Sequence, residues 1–227
     1  HHQHEDEDDP SYITNTKMKT TLLSSPAWLY IVCKPLPIMS QDLQLLQPLA
    51  VGGQQIRNRV CLAPMTRARC TPTEDPLDPT NAIPNDIMAR YYEQRASGGL
   101  LITEATAISE MGSGWLNAPH IRTAEEVAAW KTIVDRVHAK GSVIYLQLWH
   151  MGRQTHSSFH PSTGTIAAPS AIKMGGAQTK TLAKEHVEPE VPTEMTIKEI
   201  EATIADYATA AKLAAEAGFD GVEVHSA

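Results

Sequence analysis

The sequence predicts an α/β fold, a (β/α)8 barrel of the TIM type cut off after about its fourth strand, and three observations carry that expectation. Four short apolar runs, each of the composition expected for a strand buried on both faces, alternate with three amphipathic segments of helical period. The loop after the first run, Thr66 to Pro84, is rich in proline and holds no GxGxxG, the motif that a doubly wound dinucleotide-binding sheet places there. The runs end in polar groups (a hydroxyl, an amide and an imidazole), and barrels place their chemistry at such strand ends.

Each element can be justified in order. Leu49-Ala50-Val51, a Gly52-Gly53 turn and Ile56 form a short hairpin pattern suited to plugging a barrel floor. Val60 to Met65 is nearly all apolar, and Pro64 fits the end of that first strand better than its middle. After Pro84-Asn85-Asp86, the residues Ile87, Met88, Tyr91 and Tyr92 recur at helical spacing, and Gly98-Gly99 closes the helix before Leu100 to Thr103. Thr123 and Glu126 form a capping box, Val127, Trp130, Val134 and Val137 share a face, and Gly141 ends the second helix before Val143 to Trp149. Thr196 and Glu199 repeat the capping box, Ile200, Ile204, Tyr207, Ala211 and Ala214 line a third helix, and Gly218 precedes Gly221 to His225.

Composition bounds the class. The 227 residues are 42% hydrophobic and 20% charged, ordinary globular values. A net charge of -7 leaves no basic footprint for nucleic acid or a membrane surface. Cys33, Cys61 and Cys70 lack a CxxC spacing and read as reduced thiols of a cytoplasmic protein, Cys61 as a small buried hydrophobe. Residues 1–40 open on His1-His2-Gln3-His4 and an acidic run and read as disordered or extraneous, with Met39 as the start of the protein proper and the barrel domain spanning 43–227. A secretory signal from Met18 is interrupted by Ser24, Ser25 and Pro26, and Ala27 to Cys33 is far short of the roughly 20 residues of a membrane span. His150, His156 and His160 match no metal spacing, so no metal is expected.

Ala63-Pro64-Met65-Thr66-Arg67, Tyr91-Tyr92-Glu93-Gln94-Arg95-Ala96, Ile102-Thr103-Glu104, Gln147 to Arg153 and Glu216 to His225 together resemble the old yellow enzyme family, its 12-oxophytodienoate-reductase-like members most. The resemblance implies a barrel that binds FMN and uses NADPH or NADH to reduce the double bond of small α,β-unsaturated carbonyl compounds. It also implies roles. Pro64, Met65 and Thr66 lie along the isoalloxazine, with the Thr66 hydroxyl donating to it, and Ala105 leaves room for the ring. Gln147, with a donor and an acceptor, matches the edge of the flavin pyrimidine, and as a polar group in an apolar strand it requires a partner. Trp115 and Trp149 shape the substrate pocket. His225 is the catalytic donor that holds the substrate carbonyl oxygen over the flavin, its counterpart expected at residue 228.

The region 151–193 reads as a lid-like insertion over the substrate. A complete barrel needs about 250 residues, so half is expected to be missing, with the proton-donating tyrosine, a basic residue beside the flavin and the phosphate site. Two functions stay open, an FMN-dependent ene-reductase and a non-catalytic half-barrel. Open strand edges favour pairing with another chain, a homo-oligomer included.

Overall fold

The computed structural model describes residues 43–73, 80–176 and 178–226. The expectations for residues 1–40, including Cys33 and Met39, lie outside the described residues. The chain enters through the antiparallel hairpin β1 (Leu49–Val51) and β2 (Gln54–Ile56), then β3 (Cys61–Leu62). The small antiparallel pair β4 (Thr71–Pro72) and β5 (Ala82–Ile83) precedes helix α1 (Asp86–Glu93), β6 (Leu100–Ile102) and β7 (Thr106–Ala107). Helix α2 (Ala124–His138) leads to the longest strand, β8 (Val143–Trp149). Four short strands follow, β9 (Ala167–Ala168), β10 (Thr179–Lys180), β11 (His186–Val187) and β12 (Thr193–Glu194), and then α3 (Ile197–Glu216) and β13 (Gly221–Val224).

The central sheet runs β3, β6, β8, β13, all parallel and in chain order, with β7 continuing beyond β6 to pair with the far end of β8. A doubly wound sheet reverses its strand order at a switch point. No reversal occurs among these strands, which is the winding of a barrel. The registers place Leu100 beside Val143, Tyr145 beside Gly221 and Gln147 beside Glu223.

The alternation along β8 separates two faces. Ile144, Leu146 and Leu148 pack outward into a core with Trp130, Val134 and Val137 of α2, Ala210 and Ala214 of α3, and Phe219. Trp130 is the centre of this layer, fully buried, edge-on to Phe219 at 5.5 Å and tilted against Tyr92. Truncating such a tryptophan to alanine costs about 3–5 kcal/mol. On the opposite face, Val143 meets Leu100 and Ile56, with Val51, Ile102 and Tyr145 around them, so the β1–β2 hairpin closes the N-terminal end of the strands. The next inward residues of β8 toward its C-terminal end are Gln147 and Trp149.

Both capping boxes form: Thr123 accepts from Glu126 N and Thr196 from Glu199 N, and each glutamate accepts in return from the N-cap backbone. Gly141 and Gly218 take φ of +73° and +91° in the turns that leave α2 and α3. The structure departs from the sequence expectation at four points. Strand one pairs only at Cys61 and Leu62, because Pro64 has no N–H to continue the ladder. Cys61 is exposed rather than buried, since it stands on the inward face of a sheet edge. Ile87 is 67% exposed because Met88, Ala89 and Tyr92 form the buried side of α1. Ile204 is 63% exposed, the core contact of α3 being made instead by Ala210 and Ala214 near its end.

The segment 151–193 carries two 3-10 turns, the hairpin of β10 and β11, and a parallel contact of β9 with β12. No helix among the described residues is long and apolar enough to cross a membrane.

Candidate active site

The inward face of β8 and β13 meets the C-terminal ends of the strands at two pairs of side chains. Gln147 is buried at 6% exposure, and its Nε2 donates to Glu223 Oε1 at 2.7 Å. Two residues further along each strand, the Trp149 and His225 rings stand edge to face with centroids 6.3 Å apart. The spacing of two keeps Gln147 and Trp149 on one face of β8, and Glu223 and His225 on the same face of β13. The His225 backbone N–H donates to Leu148 O at 2.9 Å, which carries the strand pairing one residue beyond β13.

An ionised carboxylate only accepts hydrogen bonds, so Glu223 fixes which way the Gln147 amide points. The second Nε2 hydrogen and Oε1 remain, a donor beside an acceptor on an inward face. Below them lies the Tyr145 ring, and Gly221 makes room for it: a Cβ at 221 would stand 2.7 Å from Tyr145 Cζ. The buried Trp149 indole N–H has no hydrogen-bond partner among the described residues.

A second cluster clasps the ends of the first two strands. Glu104, 1% exposed, follows β6, and its Oε2 accepts from the backbone N–H groups of Arg67 at 3.2 Å and Ala68 at 3.0 Å. Tyr92 donates its hydroxyl to Glu104 Oε1 at 3.3 Å and accepts from Glu104 N at 2.8 Å. Burial raises the Glu104 carboxyl above the ordinary range, while the bonds from Ala68, Arg67 and Tyr92 and the Arg67 charge pull it back. Thr66, half-buried, immediately precedes this anchor, Met65 is 46% exposed, Pro64 is half-buried, and Ala105 is buried next to Glu104.

The remaining expected residue, Trp115, stands apart from these clusters. It is 51% exposed and lines a cavity of about 430 Å³ with Leu116, Met151, Phe159, Met174 and Lys180. His225 borders a different cavity of about 610 Å³, between the turn at His150–Gln154, β9 with the following Pro169, and Ile200, Ile204 and Tyr207 of α3. Met151 and Gln154 line both. Of the histidines weighed as a metal cluster, His160 faces Thr165 O at 2.8 Å and Ser113 O at 3.0 Å with its two ring nitrogens, His156 Nδ1 faces Ser158, and His150 Nδ1 accepts from Gly152 N at 3.0 Å while its buried Nε2 meets no partner among the described residues.

Sequence reasoning missed Glu104 and Glu223. Both left a signal, since each interrupts an apolar run, Leu101-Ile102-Thr103-Glu104-Ala105 and Gly221-Val222-Glu223-Val224. A carboxylate in such a run needs donors, by the same argument that singled out Gln147.

Residues 44–227 match the sequence profile of the NADH:flavin oxidoreductase / NADH oxidase family. The chain is 44% identical over 189 residues to a chanoclavine-I aldehyde reductase of Penicillium roqueforti, covering 81% of this chain and 46% of that protein. It is 38% identical to 12-oxophytodienoate reductase 2 of Arabidopsis thaliana, covering 82% and 48%. Among solved structures, it superposes on the old yellow enzyme homologue from Zymomonas mobilis with a TM-score of 0.72 at 40% identity, covering 80% of this chain and 48% of the other. Morphinone reductase in complex with tetrahydroNAD gives 0.73 at 40% identity, covering 81% and 49%. The chain thus spans about half the length of the relatives it matches.

Proposed function

Because the chain belongs to the NADH:flavin oxidoreductase / NADH oxidase family, we propose that its strand ends form the flavin and substrate face of an ene-reductase. That enzyme would pass hydride from NADPH or NADH through FMN to the C=C bond of α,β-unsaturated carbonyl compounds. The observation that carries this reading is the buried Gln147 amide. With Glu223 holding one of its hydrogens, it offers an adjacent donor and acceptor, the complement of the O=C–N–H edge of a flavin pyrimidine. FMN, when bound, supplies the hydride chemistry.

The side chains then divide the remaining work. Gln147 holds the pyrimidine edge, Thr66 offers a hydroxyl beside the ring, Pro64 and Met65 flank it, and the small Ala105 leaves it space. Trp149 shapes the substrate pocket beside His225, Trp115 lines the cavity that shares Met151 and Gln154 with it, and the 151–193 segment covers the pocket as a lid. His225 donates to the substrate carbonyl oxygen, where negative charge grows as the β-carbon is reduced; a donor so placed is worth about 3 kcal/mol of barrier. A cytoplasmic location belongs to the same reading, since Cys61 and Cys70 are both free thiols.

The alternative reading is a non-catalytic half-barrel that lacks activity on its own. The test is anaerobic incubation of the FMN-loaded chain with NADPH and 2-cyclohexenone, with cyclohexanone measured as product. The ene-reductase reading expects cyclohexanone from the wild-type chain and a loss of about 100-fold in kcat for His225→Ala with FMN retained. Equal turnover in both proteins would contradict the role of His225, and bound FMN without cyclohexanone would favour the non-catalytic reading.

A further inference from the structure

The β3–β6 ladder ends after two residue pairs, Cys61 with Leu100 and Leu62 with Leu101. Pro64 has no N–H to extend it, yet the residues that follow, Met65 and Thr66, are the ones the flavin reading sets against the ring. Something other than the ladder must hold them. Glu104 stands where the next strand's pairing partner would be, and its carboxylate takes the N–H groups of Arg67 and Ala68 with a single oxygen. The first of those N–H groups belongs to the Thr66–Arg67 peptide plane, so this contact fixes the plane that carries Thr66.

The second contact stabilises a backbone that would otherwise relax. Ala68 has φ +51°, a left-handed conformation unfavourable for a residue with a Cβ. Two successive N–H groups converging on one acceptor form an anion-binding concavity of the kind that such a conformation creates. On its other side, the carboxylate is steadied by the Tyr92 hydroxyl from α1. Arg67, whose guanidinium lies 5.1 Å from the Tyr91 ring centroid, is drawn to the same helix. One buried side chain thus ties the end of strand one to the end of strand two, next to Ala105, and anchors both to α1.

We infer that Glu104 is a positioning residue for the flavin site, replacing the backbone ladder that Pro64 interrupts and so setting the place of Thr66 and Ala105. This inference rests on the flavin reading of the site. It requires the reach of the glutamate side chain: an aspartate keeps the charge but falls one methylene short of the two N–H groups, whereas a glutamine keeps the reach and an acceptor oxygen.

The test compares wild type, Glu104→Asp and Glu104→Gln by hydrogen exchange of the Arg67 and Ala68 amides in the flavin-free chain, and by FMN titration. Glu104→Asp is expected to speed exchange at both amides and to weaken FMN binding, each by about tenfold or more, with Glu104→Gln within about threefold of wild type. At saturating FMN, the visible band of the bound flavin should shift in the Asp variant, a change that a loss of stability alone would not produce. Unchanged exchange in Glu104→Asp overturns the clasp itself. Faster exchange with unaltered FMN affinity and spectrum overturns the positioning role. Absence of FMN binding in wild type overturns the flavin reading and the positioning role with it, while the exchange result still reports on the clasp.

Discussion

At the scale of single residues, the site is built from polar groups whose burial demands a partner. Gln147 finds one in Glu223, and Glu104 finds three donors in Arg67, Ala68 and Tyr92. The cost of burying Glu104 has a measurable consequence. Its carboxyl is raised in the folded chain, chiefly by burial, with the bonds from Ala68, Arg67 and Tyr92 and the Arg67 charge opposing, and the Cys70 thiol is raised first by its own burial and then by the Glu104 charge. The folded state therefore holds the proton to higher pH than the unfolded state does. Stability attributable to Glu104 falls as pH rises from the ordinary carboxyl pKa toward the raised one. Urea unfolding at a series of pH values should show this decline in wild type and a flatter profile in Glu104→Gln; parallel profiles would contradict the assignment. Gln147 was legible in the sequence because an amide in Tyr145-Leu146-Gln147-Leu148 has no bland explanation. That Glu223 pairs with it was not, although Glu223 interrupts an apolar run of its own, because the cross-strand register that sets the two side by side is a tertiary property.

At the scale of elements, strand β8 organises the site, since its alternation sends Ile144, Leu146 and Leu148 to the helices and Tyr145, Gln147 and Trp149 inward. The seven residues of that strand were readable from composition, as were both capping boxes, because each depends on neighbours in sequence. The helix faces were less so. Ile87 and Ile204 fit the helical period yet stand exposed, because period identifies a stripe and the tilt of the helix on the sheet decides which part of it is covered. The short strands of the 151–193 segment, two residues each, were invisible for a similar reason: their pairing, not their composition, defines them. One element-level contact is directly testable. Gly221→Ala forces the Tyr145 ring aside at the β8–β13 seam and should cost about 1–3 kcal/mol, read as a lower urea midpoint. A midpoint equal to wild type would show that the ring has room to spare.

At the scale of the whole molecule, the chain-order sheet, the plugging hairpin and the inward polar pairs are mutually consistent. The sheet ends at β3 on one side and β13 on the other, where Val224 is 57% exposed, and α3 carries exposed Ile197 and Ile204. Such apolar surface suits further chain or a second copy packing against it. The fold class was legible because alternating strands and helices without a glycine-rich first turn admit few windings. Measurement in solution tests the flavin site proposed at these strand ends. The most direct one is titration of FMN into the purified chain and into Gln147→Ala, followed by quenching of flavin fluorescence. A flavin site at these strand ends predicts saturable quenching by the wild-type chain, weakened by about tenfold in Gln147→Ala for loss of one buried hydrogen-bonding group. Saturable binding of equal strength in both proteins, or none in either, would contradict it.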